Sequence, residues 1–283
     1  MGIAADLIPT LLDAVRYHAL SGSLLMLGRQ DVTIGPDGLK QVLAAESFPP
    51  LTAPASWQTE CDNVTPESFF AALGFSTVES LDVSDTEGAQ IVLDLNAAGT
   101  PETLMGRCDV LFDGGTLEHV FHLPNALARC ADMIKDGGSF VHIGPLNNYA
   151  DHGFYQFSAT FWFDWFAANG WRVVESVLVR LPSYNQPEPS AWSYSFLPPD
   201  RLGRVGQLDD APYMHFVVAK KQPGSAADRV PMQAIYARKY MNVSHEERGL
   251  REFEPYVVTR GYRAAIAPSA SPAKRGILRR ILG

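Results

Sequence analysis

A chain of 283 residues that is 46% hydrophobic and 19% charged can bury one large core, and its length suits one large domain with appendages better than two complete domains. Its net charge of −8 excludes a general nucleic-acid binder, which needs a basic surface to neutralise phosphates. Cys61, Cys108 and Cys130 lack the close pairing of a zinc or redox motif and read as free thiols, while Asp6 and Asp13 spoil any signal peptide and no uncharged run reaches membrane-span length, so a cytoplasmic protein without a transmembrane segment is expected.

The charge is unevenly placed. Residues 221–283 carry 12 Lys and Arg against 5 Asp and Glu, whereas residues 1–220 carry 11 against 26. A basic tail on an acidic body is expected to meet something acidic: its own body, a second subunit in a homo-oligomer, or an external partner.

In chain order, Leu7, Ile8, Leu11, Leu12, Val15 and Ala19 recur at helical spacing over residues 6–20 and stop at Ser21-Gly22, which predicts an amphipathic opening helix. Ser23–Leu27 reads as a buried first strand ended by Gly28. Gly38–Ala45 suits a short helix, Phe48–Thr65 an irregular insertion, and Pro66-Glu67-Ser68 opens a helix that stops at Gly74. Strands follow at Thr77–Val83, Ala89–Leu95 and Asp109–Phe112, then a helix at Leu123–Ile134, closed by Asp136-Gly137-Gly138, and a strand at Ser139–Ile143. A helix at Phe161–Asn169, a strand at Trp171–Val179, a long Pro- and Tyr-rich connection and a strand at Met214–Lys220 complete the pattern. Strands alternating with helices imply a mostly parallel sheet with helices on both faces. Beyond it, Met232–Tyr240 and Glu246–Phe253 suit helices, Ala264–Ala273 a linker, and Arg275–Leu282 a short basic amphipathic end that suits docking in an oligomer or peripheral contact with an anionic membrane.

Ligands of an open α/β sheet bind beyond the carboxyl ends of its strands, at the switch in strand order. The loops there are Gly28–Asp31, Asp82–Glu87, Asp94–Asn96, Asp113–His119 and Pro145–Phe157. The stretch CDVLFDGGTLEHV at 108–120, followed by ADMIKDGGSFVHIGP at 131–145, resembles the fourth strand, helix and fifth strand of the class I S-adenosylmethionine-dependent methyltransferases. In segment order the resemblance covers about residues 23–220. It implies a seven-stranded Rossmann-like sheet whose last strand runs antiparallel between the fifth and sixth, with residues 1–22 as an N-terminal helix, 23–221 as the methyltransferase-like domain and 222–283 as a C-terminal extension. It also implies that Leu181 to Tyr213 lies over the ligand side, where Tyr184, Trp192, Tyr194 and Phe196 either stack on an acceptor or pin the loop to the core.

The same resemblance implies S-adenosylmethionine as cofactor. Asp82, ending the second strand, is placed to accept both ribose hydroxyls, or simply starts a turn with Ser84 and Asp85. Asp94 and Leu95 occupy the adenine position, one to accept from the exocyclic amine and one to face the ring. Asp113-Gly114-Gly115 gives a loop whose glycines allow a close backbone approach to a ligand. Thr116 is a candidate cap for a following helix that carries Glu118 and His119, and His119 has either a structural or a catalytic role. After the fifth strand, Asn147, Asn148 and Tyr155 form an expected acceptor-binding set, and His152 is the preferred general base because imidazole titrates near neutrality, unless it is a solvent-exposed loop histidine. No metal is expected, since Asp113 and Asn147 alone are not a convincing ligand set.

The departure from the family lies in the first loop. The run is Leu25-Met26-Leu27-Gly28-Arg29-Gln30-Asp31, in which Met26 stands at the acidic position and Gln30 and Val32 at the later glycine positions. Arg29 could grip the cofactor's carboxylate and Asp31 its ammonium; alternatively, cofactor binding has been lost. The readings that follow are O-methylation of a small hydroxyl-bearing acceptor such as a sugar or glycan precursor, or a binding or scaffold protein that keeps the fold. A nicotinamide dehydrogenase would need a G-x-G-x-x-G turn that is absent.

Overall fold

The computed structural model describes residues 2–48, 56–182, 190–193, 210–241, 257–259 and 262–264. Tyr184, Tyr194, Phe196, the side chain of Trp192, the expected helix at Glu246–Phe253 and the basic end at Arg275–Leu282 lie outside this set.

The chain opens with β1 (Gly2–Ala4), a 3₁₀ turn and α1 (Ile8–Tyr17), then β2 (Gly22–Leu27), β3 (Asp31–Thr33) and α2 (Pro36–Ala45). A hairpin follows, β4 (Thr59–Glu60) and β5 (Asn63–Val64), then α3 (Pro66–Ala72), β6 (Phe75–Asp82), β7 (Ile91–Val92), β8 (Cys108–Asp113) and α4 (Leu123–Met133). The remainder is β9 (Ile134–Asn147), α5 (Ala159–Ala168), β10 (Arg172–Arg180), β11 (Ser190–Ser193), β12 (Tyr213–Lys220), α6 (Ala234–Met241), β13 (Val257–Thr259) and β14 (Tyr262–Ala264).

One sheet organises the molecule, in the order β7-β6-β2-β8-β9-β12-β10, continued by β11, β13 and β14. Counted in chain order, its seven core strands stand 3-2-1-4-5-7-6, and β12 runs antiparallel between β9 and β10. This is the arrangement expected from the sequence. The three further strands pair antiparallel beyond β10, so the sheet has ten strands rather than seven, and β10 is not left as an open edge.

Alternation along the central strands divides the core. Leu24 and Met26 of β2, with Val110 and Phe112 of β8, join the cluster under α1, α2 and α3. Leu25, Leu27 and Leu111 face the opposite cluster, under α4 and α5. Such strands are buried on both faces, which is why Ser23–Leu27 is almost uniformly apolar. On α1, Ile8, Leu11, Leu12 and Val15 form the buried stripe anticipated from their spacing. The Thr65 side chain caps α3 by accepting from Ser68 N, with Pro66 in the first turn. Ser158 caps α5 in the same way.

Several boundaries differ from expectation for local reasons. The strand expected at Ala89–Leu95 shortens to Ile91–Val92, because the Asp94 side chain accepts from Asn96 N and turns the chain. Thr116 caps no helix. Residues 117–119 form a single 3₁₀ turn, and α4 starts only at Leu123 because Pro124 would block a helix continuing through it. The expected stop at Asp136-Gly137-Gly138 is a bulge inside β9, with Gly137 at φ +79°, so this strand begins at Ile134. Within the supposedly irregular insertion, Cys61 and Asp62 both adopt positive φ and make the two-residue turn of the β4–β5 hairpin. The start of the C-terminal extension packs on α5: Asn169 donates to Arg229 O, Trp171 Nε1 to Ala226 O, and Ala234 N to Asp164. Among the described residues no helix is long and apolar enough to cross a membrane.

Candidate functional site

The strand order reverses between β2 and β8, and there the carboxyl ends of both strands meet the first loop. Gly28 turns at φ +65°, and its N–H donates to Leu81 O of β6. Gln30 then folds back into the crevice, with its Nε2 donating to Leu27 O at 2.6 Å and its side chain resting on Gly114. A Cβ at position 114 would come within 2.3 Å of Gln30 Oε1, so glycine is required for this approach. Buried at 2% exposure, Gln30 leaves Oε1 without a hydrogen-bond partner.

Thr116 closes the other wall by donating from Oγ1 to Leu27 O at 2.7 Å. Beneath it Asp113 is wholly buried. Its Oδ1 accepts from Thr116 N and Leu117 N, and its Oδ2 lies 2.6 Å from Nδ1 of the equally buried His142. Asp113 therefore pins the loop to β9 and does not face a ligand. Gly115, at φ +101°, completes the turn.

Arg29 does not point to this crevice as a free guanidinium. Its Nε and Nη2 donate to Glu67, and Nη1 and Nη2 to Glu60 of the hairpin, which raise its pKa far above the ordinary value. Its fork is fully used by two carboxylates, which leaves none of it for a cofactor's. Asp31 starts β3 and lines, with Arg29, Glu60, Glu67 and Glu87, a separate polar cleft of about 700 Å³. Leu95 is buried, in the same core cluster as Leu81 and Leu104.

Asp82 and Asp94 keep acceptor capacity at the strand ends. The first is half-buried at the end of β6, with one oxygen on Val83 N and the other facing Gly28. Asp94 is exposed, and its hydrogen bonds from Asn96 N and Nδ2 hold its pKa below the usual carboxylate value.

The residues expected on the acceptor side gather more closely than their sequence positions suggest. His119, on the 3₁₀ turn after β8, and His152, on the loop after β9, meet edge to face with ring centroids 4.8 Å apart. Glu118 is fully buried beside His152, has no hydrogen bond to either carboxylate oxygen, and places Oε1 3.6 Å from His152 Nε2. One ligating atom from each of Glu118, His119 and His152 lies within 4.8 Å of the others. Burial, with the Asp113 charge, raises the Glu118 pKa to about 8. Burial and His152 lower that of His119. Tyr149 stands behind His152, and burial with the Glu118 charge raises its phenol to about 12.

Backbone geometry builds this cluster. Phe154 N and Tyr155 N both donate to Glu118 O, and Gly153, at φ +69°, passes so near that a Cβ would meet that oxygen at 2.8 Å. The Tyr155 hydroxyl donates to Phe121 O, which leaves the rings of Phe121 and Phe154 exposed beside the cluster in a 5.5 Å edge contact. Asn147 ends β9 with its side chain exposed, while Asn148 turns at φ +65° and donates from Nδ2 to Ala211 O. Tyr155 and Asn148 thus hold the loop in place. Glu118 was legible in the sequence only as an acid near a helix start; its burial against His152 depends on the Gly153 crossing.

No protein-family model matches the chain, and no curated protein sequence matches it. Solved structures do resemble it. A Burkholderia thailandensis 1,6-didemethyltoxoflavin-N1-methyltransferase, with 1,6-didemethyltoxoflavin and S-adenosylhomocysteine bound, is 13% identical over 77% of this chain and 78% of its own, with a TM-score of 0.41. An S-adenosylmethionine-dependent methyltransferase from Mesorhizobium loti is 14% identical over 75% of this chain and 96% of its own, at a TM-score of 0.39. TehB from Haemophilus influenzae is 11% identical, covering 75% and 62%, at 0.41. At such values the likeness carries no argument about activity. The order of the seven core strands, 3-2-1-4-5-7-6, is the one typical of methyltransferases.

Proposed function

We propose that this chain is an S-adenosylmethionine-dependent methyltransferase acting on a hydroxyl-bearing small molecule, with a sugar or glycan precursor as the favoured acceptor class. The observation that carries the reading is the convergence of Glu118, His119 and His152 beyond β8 and β9, one strand from the switch point. Exposed Phe121 and Phe154 beside it offer apolar ring faces on which an acceptor ring can rest.

The crevice suits the cofactor's two halves unequally. Asp82 would take the ribose hydroxyls and Asp94 the adenine amine. At the amino-acid end, the unpartnered Gln30 Oε1 supplies an acceptor for an ammonium, a role the sequence had suggested for Asp31. Bound there, S-adenosylmethionine would supply an electrophilic methyl on a sulfonium, with the neutral sulfide as leaving group. His152 would take the acceptor hydroxyl's proton as the methyl group is transferred, its Nε2 lying 3.6 Å from Glu118 Oε1. Alignment of the two reactants accounts for much of the acceleration in such a displacement.

Isothermal titration with S-adenosylmethionine and S-adenosylhomocysteine, with NAD as control, tests the first step. Micromolar binding of the sulfur cofactors and none of NAD is expected. His152→Ala is then expected to lower turnover on hydroxylated acceptors while leaving cofactor affinity within about twofold. An unchanged rate removes His152 as base.

A second reading, a non-catalytic scaffold, is favoured by one feature: the Gln30 side chain fills the crevice over Gly114. No cofactor binding at millimolar concentration would support it.

A further inference from the structure

We propose that Glu118, His119 and His152 form a binding site for one divalent transition metal ion of the zinc class, with an open coordination position facing the acceptor side. This goes beyond the methyl-transfer reading and does not depend on it, since metal binding is measured without cofactor or acceptor.

The ligand set is two imidazoles and one carboxylate, which suits zinc and its first-row neighbours and disfavours magnesium, whose sites are built from oxygen. Spacing agrees. Metal–ligand bonds of about 2.1 Å in a tetrahedron hold donor atoms about 3.4 Å apart. Glu118 Oε1 and His152 Nε2 are already 3.6 Å apart, and the whole set lies within 4.8 Å, so side-chain rotation alone closes it.

Burial is the second, independent observation. Glu118 is completely enclosed with both oxygens unpartnered, and His152 Nε2 is also buried without a hydrogen bond. Unpaired buried polar atoms are costly, and an ion between them would satisfy all three at once. Gly153 packs against the Glu118 backbone and side chain from the loop side, which fixes the carboxylate's position. His119, by contrast, is exposed, so the fourth position opens outward beside Phe121 and Phe154.

A bound ion would also change the chemistry. His152 Nε2 would then be a ligand and not a base, and an acceptor hydroxyl at the open position would be acidified by the metal and release its proton to solvent. Sensitivity to chelator therefore separates the two ways of activating the same acceptor.

The experiment uses the full chain, stripped with chelator, dialysed, and titrated calorimetrically with ZnCl₂, with CoCl₂ absorption as a second readout. One equivalent is expected at micromolar affinity or tighter, with visible cobalt bands characteristic of a protein site. His119→Ala, at an exposed position, should weaken binding at least tenfold, and Glu118→Gln should do so with the circular dichroism unchanged. Cys61→Ser, which removes the exposed thiol, should leave binding intact. Absence of binding, binding indifferent to His119→Ala, or binding lost in Cys61→Ser overturns the proposal.

Discussion

The crevice at the switch point and the cluster beyond β8 and β9 are one strand apart, yet they treat polar groups in opposite ways. In the crevice Asp113 accepts two backbone N–H groups and pairs with His142, Arg29 is held by two glutamates, and Thr116 is bonded to β2. Most of its groups are engaged, while Gln30 Oε1 and His142 Nε2 lack a hydrogen-bond partner. Around Glu118 the accounting reverses: a buried carboxylate and a buried imidazole nitrogen face each other without a hydrogen bond. Satisfied polar groups hold the fold, while unsatisfied ones mark where a proton, an ion or a ligand belongs.

If that division is right, removing a partner in the first region mainly costs stability. The largest effect is expected for His142→Ala. It leaves the wholly buried Asp113 facing an empty place where its imidazole partner stood, and removing one partner of such a buried pair costs about 3–5 kcal/mol. Urea unfolding should show the midpoint falling with the slope unchanged. A loss below about 1 kcal/mol would show that Asp113 needs only its two N–H donors.

Substitution in the second region should do the reverse. The Glu118 pKa rises from 4.5 to about 8 in the folded chain because burial and the Asp113 charge oppose its ionisation, with His119, His152 and Tyr149 the other titratable groups that face it. Over that window the folded state binds the extra proton, so stability is full below about pH 4.5 and falls as pH rises through about 8. Metal-free Glu118→Gln is therefore expected to be more stable than the parent at pH 9, by a few kcal/mol, and nearly equal to it at pH 4. Equal pH profiles for the two proteins would mean that Glu118 ionises normally.

The boundary between the regions is the Gln30–Gly114 contact. Gly114→Ala drives a Cβ into Gln30 Oε1 and into the Phe112 ring, and overpacking of this kind costs about 1–3 kcal/mol. Adding Gln30→Ser should recover part of the loss, and the double-mutant cycle measures how much of the strain lies in this pair. In the same variants, Gln30→Ser alone is expected to weaken S-adenosylmethionine if Oε1 meets its ammonium. Tighter binding would instead identify the side chain as an obstruction.

Legibility in the sequence followed the range of the interaction. Period-two and period-3.6 patterns are written in neighbouring residues, so Ser23–Leu27 and the stripe of α1 were readable, while the antiparallel ending of the sheet came from the family resemblance alone. Pro124 and the Asp94 turn shifted boundaries by contacts of only a few residues, which composition hides but local stereochemistry explains. Less was readable at the site. His119 and His152 were selected for their chemistry, but the burial of Glu118 depends on a loop crossing 35 residues away in sequence, and the capture of Arg29 depends on a hairpin hidden in a Pro-rich stretch. Side chains whose partners come from distant loops lose their apparent availability only when the fold is known.

The smallest expected effect tests the outer edge of the crevice, where the two regions' logic gives different answers for similar residues. Asp94 is exposed and already accepts from Asn96 N and Nδ2, so water competes at its remaining oxygen and a ligand hydrogen bond there adds little. Asp94→Ala should therefore weaken S-adenosylmethionine by no more than about tenfold in titration. Asp82, half-buried against Gly28 with one oxygen facing the crevice, sits in a less hydrated place, so Asp82→Ala should cost more. The order is the informative quantity. If Asp94→Ala proves the more damaging, the nucleoside is gripped at the end of β7, and the place where Asp82 faces Gly28 is a structural seam like the Asp113 pair.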